Sequence, residues 1–478
     1  MPTNIQFILN DRDVCVAESP GLLVLDYLRR TEKLMGTKEG CKEGDCGACV
    51  VLIGEMRGDK VVYQPVTSCM VPIGELYGKH LVTIEGLNMD KLSPVQQAIV
   101  DEGGTQCGFC TPGIVVSLTG YLMWDQADLS PDGIKKALGG HLCRCTGYGS
   151  LKRAGAILQT NFASLIQQHQ GDRIAVLIAA GCLPAYFAKM IERLRKIKPL
   201  EQDHRQTPFD YLIAGGTDLY VQKGELVPDA RVIPLNLHPE LKGITRKDNW
   251  LHIGALTSFE EFAAHPEVVK IIPAIGQYMQ LIASWQIRNR ATLGGNIINA
   301  SPIGDMTALL LALDAVLIFK DGAKQRELPM SRFFKGYKQL DKTATEILTE
   351  IRLPMPQPTT KINFEKVSKR KALDIATVNS ALRIRCENGL VEEIGLTMGG
   401  VAPIPLFLKQ TCDYFLGKPL DKATVTAALA IVQNEIAPIS DIRGSADYKR
   451  LLARQFIIAH CTKLFPESVK ARDFYETH

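Results

Sequence analysis

The chain has 478 residues, of which 46% are hydrophobic and 22% charged. At about 150 residues per domain this suffices for roughly three domains with their own cores, and it excludes a disordered acidic tail, a collagen-like repeat and a small disulfide-stapled scaffold. The 55 Lys and Arg against 51 Asp and Glu leave a formal charge of only +4 without a basic block, so nucleic acid is not an expected partner.

The first ten residues, MPTNIQFILN, lack the basic start and long apolar run of a signal peptide. The longest uncharged apolar stretch, residues 174–188, is shorter than the roughly 18 residues a spanning helix needs, and Pro184 interrupts it, so it reads as a buried packing segment. A soluble, cytoplasmic protein with no membrane partner is expected.

Cysteine placement is the strongest local signal. Of 13 cysteines, nine fall in the first 150 residues, where even scatter would put about four. Without an export signal, grouped cysteines point to metal ligation rather than disulfides. The five isolated ones, Cys15, Cys182, Cys386, Cys412 and Cys461, read as small core hydrophobes. The first group is Cys41, Cys46 and Cys49, followed by Cys69 beyond a predicted strand over 61–66. Its C-x4-C-x2-C spacing with a distant fourth cysteine is the plant-type [2Fe–2S] pattern. Gly36, Gly40, Gly44 and Gly47 let the backbone wrap tightly and aim N–H groups at the sulfurs.

The second group pairs Cys107 and Cys110 with Cys143 and Cys145. Ser93-Pro94, Thr111-Pro112 and Ser130-Pro131 each read as an N-cap followed by Pro at the first helical position. Gly139-Gly140 ends the third of these helices, and Ser150 caps a fourth over 151–166. Cysteines at helix N-termini can meet at one point, where the positive helix ends favour thiolates. A structural zinc site also accepts four thiolates and is the alternative; zinc motifs usually come as two close pairs, so spacing speaks against it more in the first group than in the second.

Residues 167–206, with the QQHQGD patch and a basic stretch, read as a solvated interdomain linker, with a partner-binding helix as the alternative. Beyond it, a short strand over 210–214 runs into Gly215-Gly216, which could bring backbone N–H groups to a pyrophosphate, with the Thr217 hydroxyl as a further donor. Gly294-Gly295 is a second such place, followed by Asp305 and an apolar helix over 307–313. Neither is a GxGxxG, so a Rossmann site is not supported. Alternating strands (ALRIRC, VEEIGLTMGG) and helical patterns over 422–434 and 448–465 complete the chain.

The segments GTKEGCKEGDCGACVVLI, TSCMVPIGEL, TQCGFCTPGIVVSLTGYL and GGHLCRCTGY resemble the iron–sulfur region of the molybdenum hydroxylases, the xanthine dehydrogenase family. LIAGGTDL and TLGGNIINASPIGD are similar to that family's two FAD-binding stretches, and MGGVAP and DIRGSADYKRLL to its flavoprotein C-terminal domain. The resemblance implies an α+β multidomain chain: a β-grasp ferredoxin-like domain (1–89), a four-helix [2Fe–2S] domain (90–166), the linker (167–206), a vanillyl-alcohol-oxidase-type FAD domain (207–358) and a small α/β C-terminal domain (359–478). By position, Cys41, Cys46, Cys49 and Cys69 would hold one cluster, and Cys107, Cys110, Cys143 and Cys145 the other. Leu212, Ile213, Ala214, Gly215, Gly216, Thr217, Asp218 and Leu219, with Thr292, Leu293, Gly294, Gly295, Asn296 and Asp305, would bind FAD, and Gln106 would face a molybdopterin. The sequence departs from the family's frequent pattern at His141, Gly149-Ser150 and Ile282, the last standing where animal members place a phenylalanine against the flavin ring. Asp374 and Arg443 read as capping or packing residues at least as readily as cofactor contacts.

The same resemblance implies electron transfer from a molybdenum site through the two clusters to FAD and then NAD+. No segment resembles the molybdenum-binding region, so a separate molybdenum-binding large subunit is expected, in a heterotetramer of two small and two large chains. Purine oxidation of the xanthine dehydrogenase type is the first expectation. The alternatives are a subunit acting on another N-heterocycle or an aldehyde, an independent iron–sulfur flavoprotein NADH reductase, and a zinc-bearing binding module.

Overall fold

The computed structural model describes residues 4–168, 172–199, 209–370 and 373–474. It divides into two compact units, one of residues 1–237 with 284–291 and one of 238–283 with 292–478. This division cuts through the expected 207–358 domain: strand 211–213 and its glycine turn belong to the first unit, and the Gly294-Gly295 stretch to the second.

In the first unit, β1 (Ile5–Leu9), β2 (Arg12–Val16), β3 (Val50–Arg57), β4 (Lys60–Thr67) and β5 (His80–Val82) form a five-stranded sheet in the order β2-β1-β5-β3-β4. The β1–β5 pair is parallel and the others antiparallel, the pattern of a β-grasp. Phe7, Leu9, Val51, Ile53, Val66, Val71 and Leu81 bury one face. Behind it come α1 (Pro94–Asp101), α2 (Thr111–Met123), α3 (Pro131–Leu138) and α4 (Gly149–Gln168). Ser93 caps α1 in a full capping box with Gln96, and Ser130 caps α3, as their Ser-Pro pairs require.

Two of the expected caps fall elsewhere. Cys110, not Thr111, occupies the N-cap of α2, and the Thr111 hydroxyl is instead hydrogen-bonded to Thr105 at 2.8 Å. Tyr148 takes φ +63°, so α4 starts at Gly149 and Ser150 lies inside its first turn, its hydroxyl buried without a hydrogen-bond partner among the described residues.

The described part of residues 167–206 is not a solvated connection. It forms α5 (Arg173–Ala179) and α6 (Met190–Lys196), joined through a 3-10 turn over Ala185–Lys189. Leu177, Cys182, Leu183 and Phe187 enter the core of the helical domain, while Met190 and Leu194 pack on Ile8. The apolar run is therefore a packing segment, burying aliphatic and aromatic area that a linker would leave wet. Residues 169–171 of the QQHQGD patch and residues 200–208 lie outside the described residues. The unit ends with β6 (Tyr211–Ile213) parallel to β7 (Val232–Pro234), with α7 (Leu219–Lys223) between them, and includes the one-turn helix Trp285–Arg288.

In the second unit, β8 (Ile244–Lys247), β9 (Trp250–Gly254), β10 (Val316–Asp321), β11 (Lys324–Pro329) and β12 (Ile347–Pro354) form an antiparallel sheet in the order β11-β10-β12-β9-β8. The helices α8 (Leu293–Asn299) and α9 (Asp305–Ala312) precede β10, so the second glycine pair opens a helix rather than ending a strand. A second antiparallel sheet, β13 (Lys361–Val367), β14 (Val378–Glu387), β15 (Leu390–Gly399) and β16 (Leu406–Phe407), packs with α10 (Lys409–Phe415), α11 (Lys422–Glu435) and α12 (Ala446–Leu464). Among the described residues no helix is long and apolar enough to cross a membrane.

Candidate redox sites

The loop over 40–49 enters β3, and Cys69 sits in the 3-10 turn Ser68–Met70 that leaves β4. Because β3 and β4 pair with Val50 opposite Thr67, Cys49 and Cys69 fall side by side. Their sulfurs are 3.4 Å apart and both residues are buried. Ser68 ties the two ends together, its hydroxyl donating to the Cys49 carbonyl at 2.7 Å. Cys41 and Cys46 form the other pair: the Cys41 N–H donates to Cys46 Sγ at 3.4 Å, and the Glu43 N–H to Cys41 Sγ at 3.3 Å. A hydrogen bond from Cys46, opposed by burial and helped by the N–H groups of Glu43, Cys46 and Asp45, draws the Cys41 thiol down to about 5, and Cys46 is pushed up in return. The same exchange lowers Cys49 and raises Cys69.

The second quartet forms where the loop before α2 meets the loop before α4. Cys145 Sγ lies 3.5 Å from Cys107 Sγ, and Cys110, at the N-cap of α2, interacts with the Cys143 thiol. Burial, reinforced by that interaction, pushes the Cys110 thiol up to about 12. Cys110 and Cys143 are buried, whereas Cys107 and Cys145 are exposed beside the exposed Phe109 and Leu142. The Tyr148 hydroxyl braces this loop, accepting from the Cys143 N–H at 2.9 Å and donating to the His141 carbonyl at 3.0 Å. Gln106 donates to the Cys145 carbonyl at 3.3 Å.

In both quartets the sulfurs come as two pairs. Among the described residues no three His, Cys, Asp or Glu side chains converge to hold a single metal ion. Two thiol pairs suit a dinuclear centre, one pair per iron, whereas a mononuclear tetrahedral ion would draw four sulfurs around one point. Where such a centre binds, the thiols lose their protons, and the N–H groups already aimed at the sulfurs stabilise the resulting anions.

The two cysteine loops touch. The Leu142 N–H donates to the Cys46 carbonyl at 3.0 Å. Gly47, at φ +70°, lies so close to the Gly140 carbonyl and the His141 ring that a Cβ would collide with both. Burial pushes His141 down to about 4, and its Nε2 pairs with the Ser117 hydroxyl at 2.7 Å. Gln286 joins them, donating to Ser117 Oγ at 3.0 Å and to the Ala137 carbonyl at 2.9 Å.

In the first unit, the glycine turn after β6 is held from both sides. Asn236 donates to the Ala214 carbonyl at 3.0 Å, and the Arg290 guanidinium donates to the Gly215 carbonyl at 2.8 and 3.0 Å. Gly215 lies against the Arg290 backbone, where a Cβ would collide, and Gly216 takes φ +72°. In the second unit, Thr292 caps α8 by accepting from the Gly295 N–H at 3.1 Å, and Asn296 accepts from the Thr307 N–H and hydroxyl. Asp305 is already engaged: its carboxylate takes 2.7 Å contacts from Lys366 and Asn379. Ile282 is buried. Asp374 caps a turn by accepting from the N–H groups of Arg370 and Ile375, and the Arg443 carbonyl accepts from Thr377, so both behave as local bracing. Glu75, Ser117, Gln286 and Arg290 escaped sequence reasoning, since nothing local distinguishes them from core or surface polar residues.

Residues 7–73 match the family described as a 2Fe-2S iron-sulfur cluster binding domain, and residues 83–156 a [2Fe-2S] binding domain. Residues 184–356 match the FAD binding domain in molybdopterin dehydrogenase, and residues 364–463 the CO dehydrogenase flavoprotein C-terminal domain. The chain belongs to the molybdenum hydroxylase family. Its matched regions are that family's iron–sulfur and FAD-binding domains, the electron-transfer part of an oxidoreductase. Xanthine dehydrogenase 1 of Arabidopsis thaliana is 28% identical over 91% of this chain and 38% of its own length. Aldehyde oxidase 1 of Bos taurus is 27% identical over 95% of this chain and 39% of its own length. The chain thus spans well under half the length of these relatives. Of the solved structures, the cyanide-inactivated Cu,Mo-CO dehydrogenase is similar over 53% of this chain and 89% of that chain, at 27% identity and a TM-score of 0.50.

Proposed function

We propose that this chain conducts electrons for a xanthine dehydrogenase-type molybdenum hydroxylase. Cys107, Cys110, Cys143 and Cys145 hold the entry cluster, Cys41, Cys46, Cys49 and Cys69 the inner cluster, and the stretches Leu212–Leu219 and Thr292–Asn296, with Asp305, bind FAD. When bound, the clusters carry single electrons and the flavin couples them to a two-electron acceptor, here NAD+. The observation that carries the reading is the hydrogen bond from Leu142 N–H to the Cys46 carbonyl, which joins the two thiol quartets through one short contact.

Exposure supports this direction. Cys107 and Cys145 open to the surface beside the apolar Phe109 and Leu142, a face suited to a molybdenum-binding partner, while Cys49 and Cys69 are enclosed. The partner is a separate large subunit in an assembly of two small and two large chains, and substrate choice resides there. The relatives support purine and aldehyde oxidation alike at the level of this chain, since both classes match 91% and 95% of it at similar identity.

The test is anaerobic mixing with NADH. Bleaching of the flavin in this chain alone, followed by cluster reduction, is the expected result. A flavin that stays oxidised would remove NAD+ from the reading, and copurification without a molybdenum-bearing subunit would remove the hydroxylase.

A further inference from the structure

Glu75 and Arg290 are 215 residues apart in sequence and meet inside the first unit, their side chains 5% and 3% exposed. The guanidinium forks onto the carboxylate, Nη1 to Oε1 at 3.0 Å and Nη2 to Oε2 at 2.9 Å. Its other edge turns to the glycine loop, Nε and Nη2 donating to the Gly215 carbonyl at 3.0 and 2.8 Å. Every nitrogen of Arg290 is thus used, by a carboxylate on one side and one backbone oxygen on the other. Lys79 adds a weaker ion pair to Glu75 at 3.5 Å. Burial pushes the Glu75 carboxyl up, but Arg290 and Lys79 override it and hold it at about 2, so the pair is charged across the neutral range.

Such a pair is a poor source of stability, because two desolvated charges do little better than a well-packed apolar pair of the same volume. Its distinctive property is geometric: a planar fork fixes what it binds in angle as well as distance, which an ammonium cannot do. Here it binds a loop at one end and, at the other, Glu75 in the turn Ile73–Leu76, a few residues beyond Cys69. The loop also approaches the cysteine segment directly, since a Cβ on Gly216 would meet the Met70 carbonyl at 2.8 Å.

Resting on the FAD and iron–sulfur reading above, we infer that Arg290 and Glu75 are positioning residues that lock the Ala214–Gly216 loop to the Cys69 segment, and so set both how tightly FAD is held and how close it lies to the inner cluster. Arg290 touches neither group in this role; it acts through the Gly215 carbonyl.

The experiment uses the full chain, loaded with iron and freed of flavin, in wild-type form and as Arg290→Lys, which keeps the charge but cannot fork to both partners. FAD is titrated by fluorescence, and the cluster is followed by its electron paramagnetic resonance spectrum and by the relaxation it imposes on the flavin radical. Arg290→Lys is expected to keep its iron and cluster spectrum, to bind FAD about tenfold more weakly, and to lose most of that relaxation. Wild-type FAD affinity and relaxation in Arg290→Lys would overturn the proposal, as would weakened FAD binding with an equal loss of cluster signal, which marks general packing. Should Arg290→Lys not fold, the neutral pair Glu75→Gln with Arg290→Gln decides: intact clusters with weakened FAD support the inference, and intact clusters with native FAD affinity overturn it. A wild-type chain that takes up no FAD or iron would instead strike the underlying functional reading.

Discussion

The backbone N–H of Leu142 donates to the carbonyl of Cys46 at 3.0 Å, so the residue next to Cys143 is bonded to a residue of the other quartet. A break in either quartet should therefore interrupt one conducting line rather than two independent sites.

Metal analysis gives the first check. Two paired-thiol sites should yield about four irons per chain and brown protein with broad visible bands, with one FAD besides. A colourless protein holding about one zinc per quartet would refute the dinuclear assignment.

Cys143→Ser should remove the exposed cluster, lowering iron to about two per chain, because its alkoxide is a poor substitute for a thiolate. Reduction of the flavin by NADH should survive, while transfer from the proposed molybdenum partner should fall at least about a hundredfold, measured by stopped-flow absorbance. Full turnover in this variant would count against a relay through the cluster.

Gly47→Ala should disturb both loops together. The residue stands at φ +70°, and a Cβ would run into the Gly140 carbonyl and the His141 ring. A left-handed alanine costs about 1 kcal/mol before any collision, so a total near 3 kcal/mol is expected, read as a lower unfolding midpoint with loss of both cluster spectra. Loss of one spectrum alone would show that the loops are not braced against each other.

Acid should weaken the fold through histidines buried in neutral form. Burial holds His80, between the Tyr63 hydroxyl and the Asn10 carbonyl, at about 3, and His460, beside Ser380 and Asn363, at about 3. An unfolded histidine binds its proton near 6.5, so stability rises with pH from about 3 to about 6.5 and is flat above. At pH 5 each should cost about 2 kcal/mol relative to pH 7, measured by denaturant unfolding. His460→Asn should flatten its share of that slope; an unchanged slope would mean that His460 is not the titrating group.

Local chemistry was legible in the sequence where its cause is local. The C-x4-C-x2-C spacing, the Ser-Pro starts at Ser93 and Ser130, and the strands at ALRIRC and VEEIGLTMGG each depend on residues within a few positions. The Cys110 cap shows where this stops. A Thr-Pro pair looks like a cap until a remote hydroxyl, Thr105, takes the threonine and the helix starts one residue earlier.

What the sequence by itself determined is which residue types are grouped: eight cysteines in two sets, glycines around them, and two glycine stretches further on. Only the tertiary structure decided which thiols pair, that Leu177, Cys182, Leu183, Phe187, Met190 and Leu194 are buried rather than wet, and that Glu75 and Arg290 grip the Gly215 loop. The physical reason is range: spacing along the chain governs loops and caps, whereas a buried carboxylate finds its guanidinium 215 residues away only when the packed core removes water from both.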